Sequence, residues 1–208
     1  AKFEQEVTKA DRSEIASFLQ HGVWKICKKD EAKLRPMSCT WVRKWKWTVD
    51  DQGRKTRIVK SRLCVRGFLD PQKNKLTKHS STATRFSQRL HISLTVLNNW
   101  VMESWDISTA FLQGFSFNLL EKMLRLMNIP IPAAARRAYI TVPGNVWYHL
   151  QALKFPGCSD LVRSNSGLYC IELLKAMYGL CDAPLLWQLC LRYFFCHLIF
   201  GHTSLYDD

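Results

Sequence analysis

Asp106 is the residue whose surroundings most resemble a place for chemistry. The stretch WVMESWDISTAFLQG (100–114) has the pattern of a strand that delivers a carboxylate into a turn. Met102, Ser104 and Asp106 share one strand face by the period of two, and Val101, Glu103 and Trp105 share the other. A helix-compatible run follows at once. Strand ends of this kind are where α/β proteins put function rather than packing. On spacing alone the competing role is a helix N-cap, the Asp oxygen accepting from a free amide two or three residues on.

The rest of the chain must position that carboxylate. Its 208 residues are enough for one good-sized domain or two small lobes around a shared core, and 47% hydrophobic content predicts a folded protein. The formal charge of +13 is unevenly placed: residues 1–100 carry 22 Lys and Arg against 9 Asp and Glu, whereas 101–208 carry 8 against 8. An even mixture would serve solubility better, so a basic excess confined to one half predicts a lobe that grips a polyanion. Cys27, Cys39, Cys64, Cys158, Cys170, Cys181, Cys190 and Cys196 form no C-x-x-C pair and lie among apolar neighbours. That predicts reduced, buried thiols in an intracellular protein. The polar N-terminus has no signal-peptide pattern and reads like an internal piece. The apolar run 185–200 contains Gln188, Arg192 and His197 and falls short of the roughly 20 residues of a membrane span, so it reads as a buried helix.

Helical spacing predicts a helix over Lys2–Gln20, ended by Gly22. Thr40–Val49 and Arg57–Arg66 read as two strands joined by the turn Asp50-Asp51-Gln52-Gly53. Trp41, Trp45, Trp47 and Val49 share one face of the first strand, with Arg43 as the interruption. On the second, Val59, Leu63 and Val65 oppose Ile58, Lys60, Arg62, Cys64 and Arg66. The product is a basic hairpin with an apolar underside. Edge-strand cations discourage aggregation, yet three on one face also suit phosphates. Phe86, Leu90, Leu94 and Leu97 predict a helix within Ser80–Asn99, and Phe115–Leu126 predicts another. Residues 128–138 read as a loop, and 151–167 as an insertion with no functional reading. Leu168–Leu189 reads as a strand running into Tyr178-Gly179-Leu180, then a helix from Ala183-Pro184.

Taken in order, these segments resemble the reverse transcriptases of copia-type retrotransposons over most of the chain. "WDISTAFLQG" is similar to the family's D-x-x-x-A-F-L-x-G aspartate motif. "WVRKWKWTVDDQGRKTRIVKSRLCVRGFLD" looks like its fingers hairpin, and "LLKAMYGLCDAPLLW" like L-x-K-A-L-Y-G-L-K-Q-A-P-R-x-W. The resemblance implies an α+β, right-hand polymerase-like fork that is incomplete. Residues 23–99 would form a basic fingers lobe, and 100–208 a partial palm with a variable insertion at 115–167. It also implies RNA-directed DNA synthesis on an RNA and DNA primer–template, with dNTP as substrate and no membrane partner. Lys60 and Arg62 would hold the triphosphate, with Arg66 a weaker ligand. Phe111 would screen the sugar 2′ position, and Tyr178, Gly179, Leu180 and Pro184 would pack on the nascent base pair and template. Asp106 would be both catalytic residue and Mg²⁺ ligand.

Nucleotide addition needs metals to neutralise developing charge, and two of them need several carboxylates at one point. Asp106 supplies one. Tyr206-Asp207-Asp208 lacks the middle residue of Y-x-D-D, and "GHTSLYD" is closer to the family's G-F-x-x-S-x-x-D segment, so the second aspartates are expected to be missing. Cys181 and Asp182 stand where Lys-Gln is usual, and Leu185 where Arg is usual. The expectation is a truncated polymerase, inactive alone. The alternatives are a non-catalytic nucleic-acid-binding remnant and a decayed open reading frame.

Overall fold

The computed structural model describes residues 2–80, 82–130 and 135–199. Within them the local patterns assemble into an α+β fold around one mixed five-stranded sheet. Its strands are β1 (Trp24–Lys28), β2 (Met37–Val49), β3 (Lys55–Val65), β4 (Ala138–Thr141) and β5 (Tyr169–Leu173). Their order is β1-β5-β4-β2-β3, and only the β2–β4 pair is parallel. The helices are α1 (Lys2–Gln20), α2 (Arg85–Leu97), α3 (Ala110–Gln113), α4 (Phe117–Leu126), α5 (Gly144–Ala152), α6 (Asp160–Ser164) and α7 (Ala183–Tyr193).

Helix α1 ends where the sequence places its stop. Gly22 takes φ +60, and the Val23 amide returns to the Phe18 carbonyl at 3.1 Å. That return stacks Phe18 on Trp24 at 4.3 Å and seeds the core with Ile15, Val23, Ile140 and Ile171. The same helix buries two acids, Asp11 and Glu14. Asp11 accepts from Arg43 Nε at 3.0 Å and Nη2 at 2.7 Å, which explains the cation interrupting the aromatic face of β2. Beyond the sheet, the α5 residue Asn145 accepts from Trp41 Nε1 at 3.2 Å.

Three expectations need correction. Residues 100–107 form no strand: the segment is irregular and exposed along its length. A strand exists only by pairing, and this segment has no ladder partner among the described residues. The run 185–200 is not a buried helix. Helix α7 passes into a π-helical turn at Phe194–Ile199, most of its side chains are half-buried, and Phe194 and Leu198 are exposed. Among the described residues no helix is long and apolar enough to cross a membrane. Residues 151–167, which carried no functional reading, contain α6, capped by Ser159 and in contact with α5. All eight thiols are free, but only Cys39 and Cys170 are buried; the rest are half-buried.

Candidate functional site

The β2–β3 hairpin comes out as its alternation demands. Ser61, Leu63 and Val65 are buried with Val59 half-buried, while Lys60, Arg62 and Arg66 are exposed. Lys44 stands directly opposite Lys60, and Val42 opposite Arg62. Like charges facing across strands are destabilising, so the Lys44–Lys60 pair is a surface that gains from a bound anion. Arg43 is paired with Asp11 and Arg54 with Asp50. Among the described residues Lys44, Lys46, Lys55, Arg57, Lys60 and Arg62 form no ion pair.

The base of β3 is clamped from two sides. Its open-edge amide at Leu63 donates to the Glu14 carboxylate at 3.3 Å, and the next one, Val65, donates to the Tyr178 carbonyl at 2.8 Å. Capping these amides keeps the edge from pairing elsewhere. Burial pushes the Glu14 carboxyl above its usual range, against the pull of the Leu63 amide and of Lys60 and Arg62. Gly179 follows at φ +94, so close to Val65 that a Cβ would collide with its backbone. Only glycine satisfies both conditions.

This clamp brings together residues from three distant segments. The Arg62 guanidinium lies 5.1 Å from the Tyr178 ring centroid, and Tyr178 meets Phe111 edge-on at 5.7 Å. Burial raises the Tyr178 phenol's pKa, Glu14 adds to that, and Arg62 opposes it. Phe111 is held because Leu112 beside it is fully buried and Thr109, at φ +51, lies 3.3 Å from His21 Nε2 through its hydroxyl. Gly179 and Pro184 are exposed near this cluster's turn and on the first turn of α7 respectively. Leu180 departs from expectation: at 4% exposed it belongs to the core and packs the turn instead of facing a ligand.

Asp106 is also placed differently from expectation. It does not sit at a strand tip but in the exposed irregular segment, four residues before α3. Among the described residues it makes no hydrogen bond or ion pair, and it belongs to no group of three side chains placed to share a metal ion. Its neighbour Glu103 accepts from Trp105 Nε1 at 3.1 Å. A single exposed carboxylate does not fit the oxygen-rich shell that Mg²⁺ requires. Tyr206, Asp207 and Asp208 lie outside the described residues.

One charged cluster escaped sequence reasoning. Arg136 is buried and donates from Nη2 to Asp70 Oδ2 at 2.6 Å, from Nε to Asp182 Oδ2 at 2.8 Å, and from Nη1 to Gln72 Oε1 at 3.2 Å. Burial works to lower its pKa, but Asp182 and Asp70 outweigh that and hold it above the ordinary value. Asp70, Cys181 and Asp182 have ligand atoms within 4.8 Å of one another, a group able to hold a metal ion by spacing. The guanidinium already neutralises both carboxylates, so the donor set as arranged is a buried ion-pair triad. Asp182 is therefore not a loose negative charge beside phosphates, as its position in the motif implies. The only sequence signal was its presence where Gln is usual. Comparison with protein-family models and with curated proteins finds no match for this chain.

Proposed function

We propose that this chain is the fingers and upper palm of a copia-type reverse transcriptase and that it grips an RNA and DNA primer–template and the incoming dNTP without catalysing extension by itself. The observation that carries the reading is the contact chain Arg62–Tyr178–Phe111. Three segments that resemble separate motifs of one family meet at one place, beside a cationic hairpin face with an unfavourable Lys44–Lys60 pair. Lys60 and Arg62 contact phosphates, Phe111 and Tyr178 bound the sugar and base side, and Arg66 supplies a further cation at the hairpin base.

Catalysis is withheld because, among the described residues, Asp106 joins no group of three metal-ligating side chains, where two-metal phosphoryl transfer needs several carboxylates at one point. The chain with primer–template, dNTPs and Mg²⁺ should give no extended product; extension that Asp106→Asn abolishes would refute the non-catalytic half of the proposal. For the grip, log affinity for primer–template should fall linearly with log salt. Replacing Lys60, Arg62 and Arg66 together by Ala should reduce that slope by up to about 3, near one per lost phosphate contact. An unchanged slope would remove the hairpin from the interface.

A further inference from the structure

The opposite face of the same hairpin has its own organisation. Near the sheet, Trp41 is covered by Asn145 and Arg43 by Asp11. Beyond that point cover runs out: Phe3, near the start of α1, touches Trp45 at 5.6 Å, and Trp45 and Trp47 remain 48% and 64% exposed. Between them sits Arg57. Its guanidinium lies 5.1 Å from the Trp45 ring centroid and 5.5 Å from that of Trp47, and it stands directly opposite Trp47 in the strand register. Apart from Phe3 and Arg57, this pair of indoles stays open to solvent.

We infer that the Trp45–Arg57–Trp47 ladder is a stacking platform for unpaired bases of a single-stranded nucleic acid. Two features of the hairpin select this ligand. The first is charge. Between Val42 and Arg62 there are eight Lys and Arg against two Asp, and among the described residues only Arg43 and Arg54 of these are engaged in ion pairs. A polyanion therefore suits this arm, and an apolar or cationic partner does not. The second is spacing. Residues two apart on a strand face are about 6.7 Å apart, close to twice the ~3.4 Å rise of one nucleic-acid strand. Bases can stack on the outer indole faces while Arg57 and Lys55, on the same face of the hairpin, reach the backbone. Stacking of this kind tolerates any sequence, because every base has a π-face. The inference goes beyond the role given to Lys60 and Arg62 and does not need it: those residues lie on the other face.

The test compares three labelled 12-mers by fluorescence anisotropy at one salt concentration, using the full chain: oligothymidylate, oligouridylate and an abasic strand with the same phosphates. Both base-bearing strands should bind at least roughly 10-fold tighter than the abasic one, as stacking of one or two bases provides. The Trp45→Ala, Trp47→Ala double variant should lose that ratio while keeping its affinity for the abasic strand. Trp47→Phe should retain most of the ratio, which guards against misfolding as the cause. Lys60→Ala with Arg62→Ala should weaken all three strands alike and leave the ratio intact, so failure of the nucleotide-face reading is distinguishable from failure here. Equal binding of base-bearing and abasic strands, or a ratio that survives the double Trp variant, would overturn the inference.

Discussion

Two regions of this chain read as strand, the β2–β3 hairpin and residues 100–107, and only the first becomes sheet. In β2–β3 each strand finds its partner across the five-residue connection 50–54, and the free edge is then capped by Glu14 and Tyr178. The segment 100–107 mixes apolar and polar side chains on both would-be faces and meets no partner among the described residues, leaving Val101 88% and Trp105 78% exposed. The helix before it fares no better. Thr84 caps α2 by accepting from the Ser87 amide, yet α2 buries no residue. A 13-residue helix without a packed face is marginal in water. Side-chain period sets which face a strand would bury; whether it is a strand depends on a neighbour that supplies the other half of the hydrogen bonds.

The contrast can be broken most decisively at the clamp. Gly179→Ala adds a Cβ into the Val65 backbone at a left-handed φ, and should cost about 4 kcal/mol or more in urea unfolding. A cost below about 1 kcal/mol would mean the Tyr178–Gly179 turn does not hold β3.

A smaller effect comes from comparing one residue in each region. Leu63→Ala empties a fully buried site in β3 and should cost roughly 2–5 kcal/mol. Trp105→Ala removes a larger side chain from the unpaired segment and should cost no more than about 0.5 kcal/mol, measured the same way. Equal losses would show that residues 100–107 are packed in solution.

The smallest effect is a pH dependence at the edge cap. Folding raises the Glu14 pKa above its ordinary 4.5, chiefly by burial. The folded state then binds the proton more tightly than the unfolded one. The associated stability is fully present below the unfolded value and is lost as pH rises through the folded one. Glu14→Gln, which keeps an acceptor for the Leu63 amide, should unfold at higher temperature than the parent at pH 7 and lose that lead towards pH 4. A constant difference across that range would show that Glu14 is not desolvated in the folded protein.

What could be read in the sequence was whatever is decided locally. The bounds of α1, the hairpin, its turn and the exposure of Lys60, Arg62 and Arg66 all follow from spacing and from Gly22 and Gly53. The Arg136 triad could not be read, because its acids lie 66 and 46 residues from the arginine and a buried charge looks like any other in a string of letters. Arg43 was visible as an interruption but not explained until Asp11 faced it. Asp106 shows the opposite case. Its surroundings have the right residues for a strand end, and the missing ingredient is a neighbouring strand.

The most direct test of the role proposed for the Arg62–Tyr178–Phe111 cluster is equilibrium titration with a fluorescent dNTP. The account predicts measurable binding by the parent chain, and a loss of roughly tenfold with Arg62→Ala, as expected when one charge-assisted phosphate contact is removed. Undiminished affinity in Arg62→Ala, with the variant folded, would contradict it.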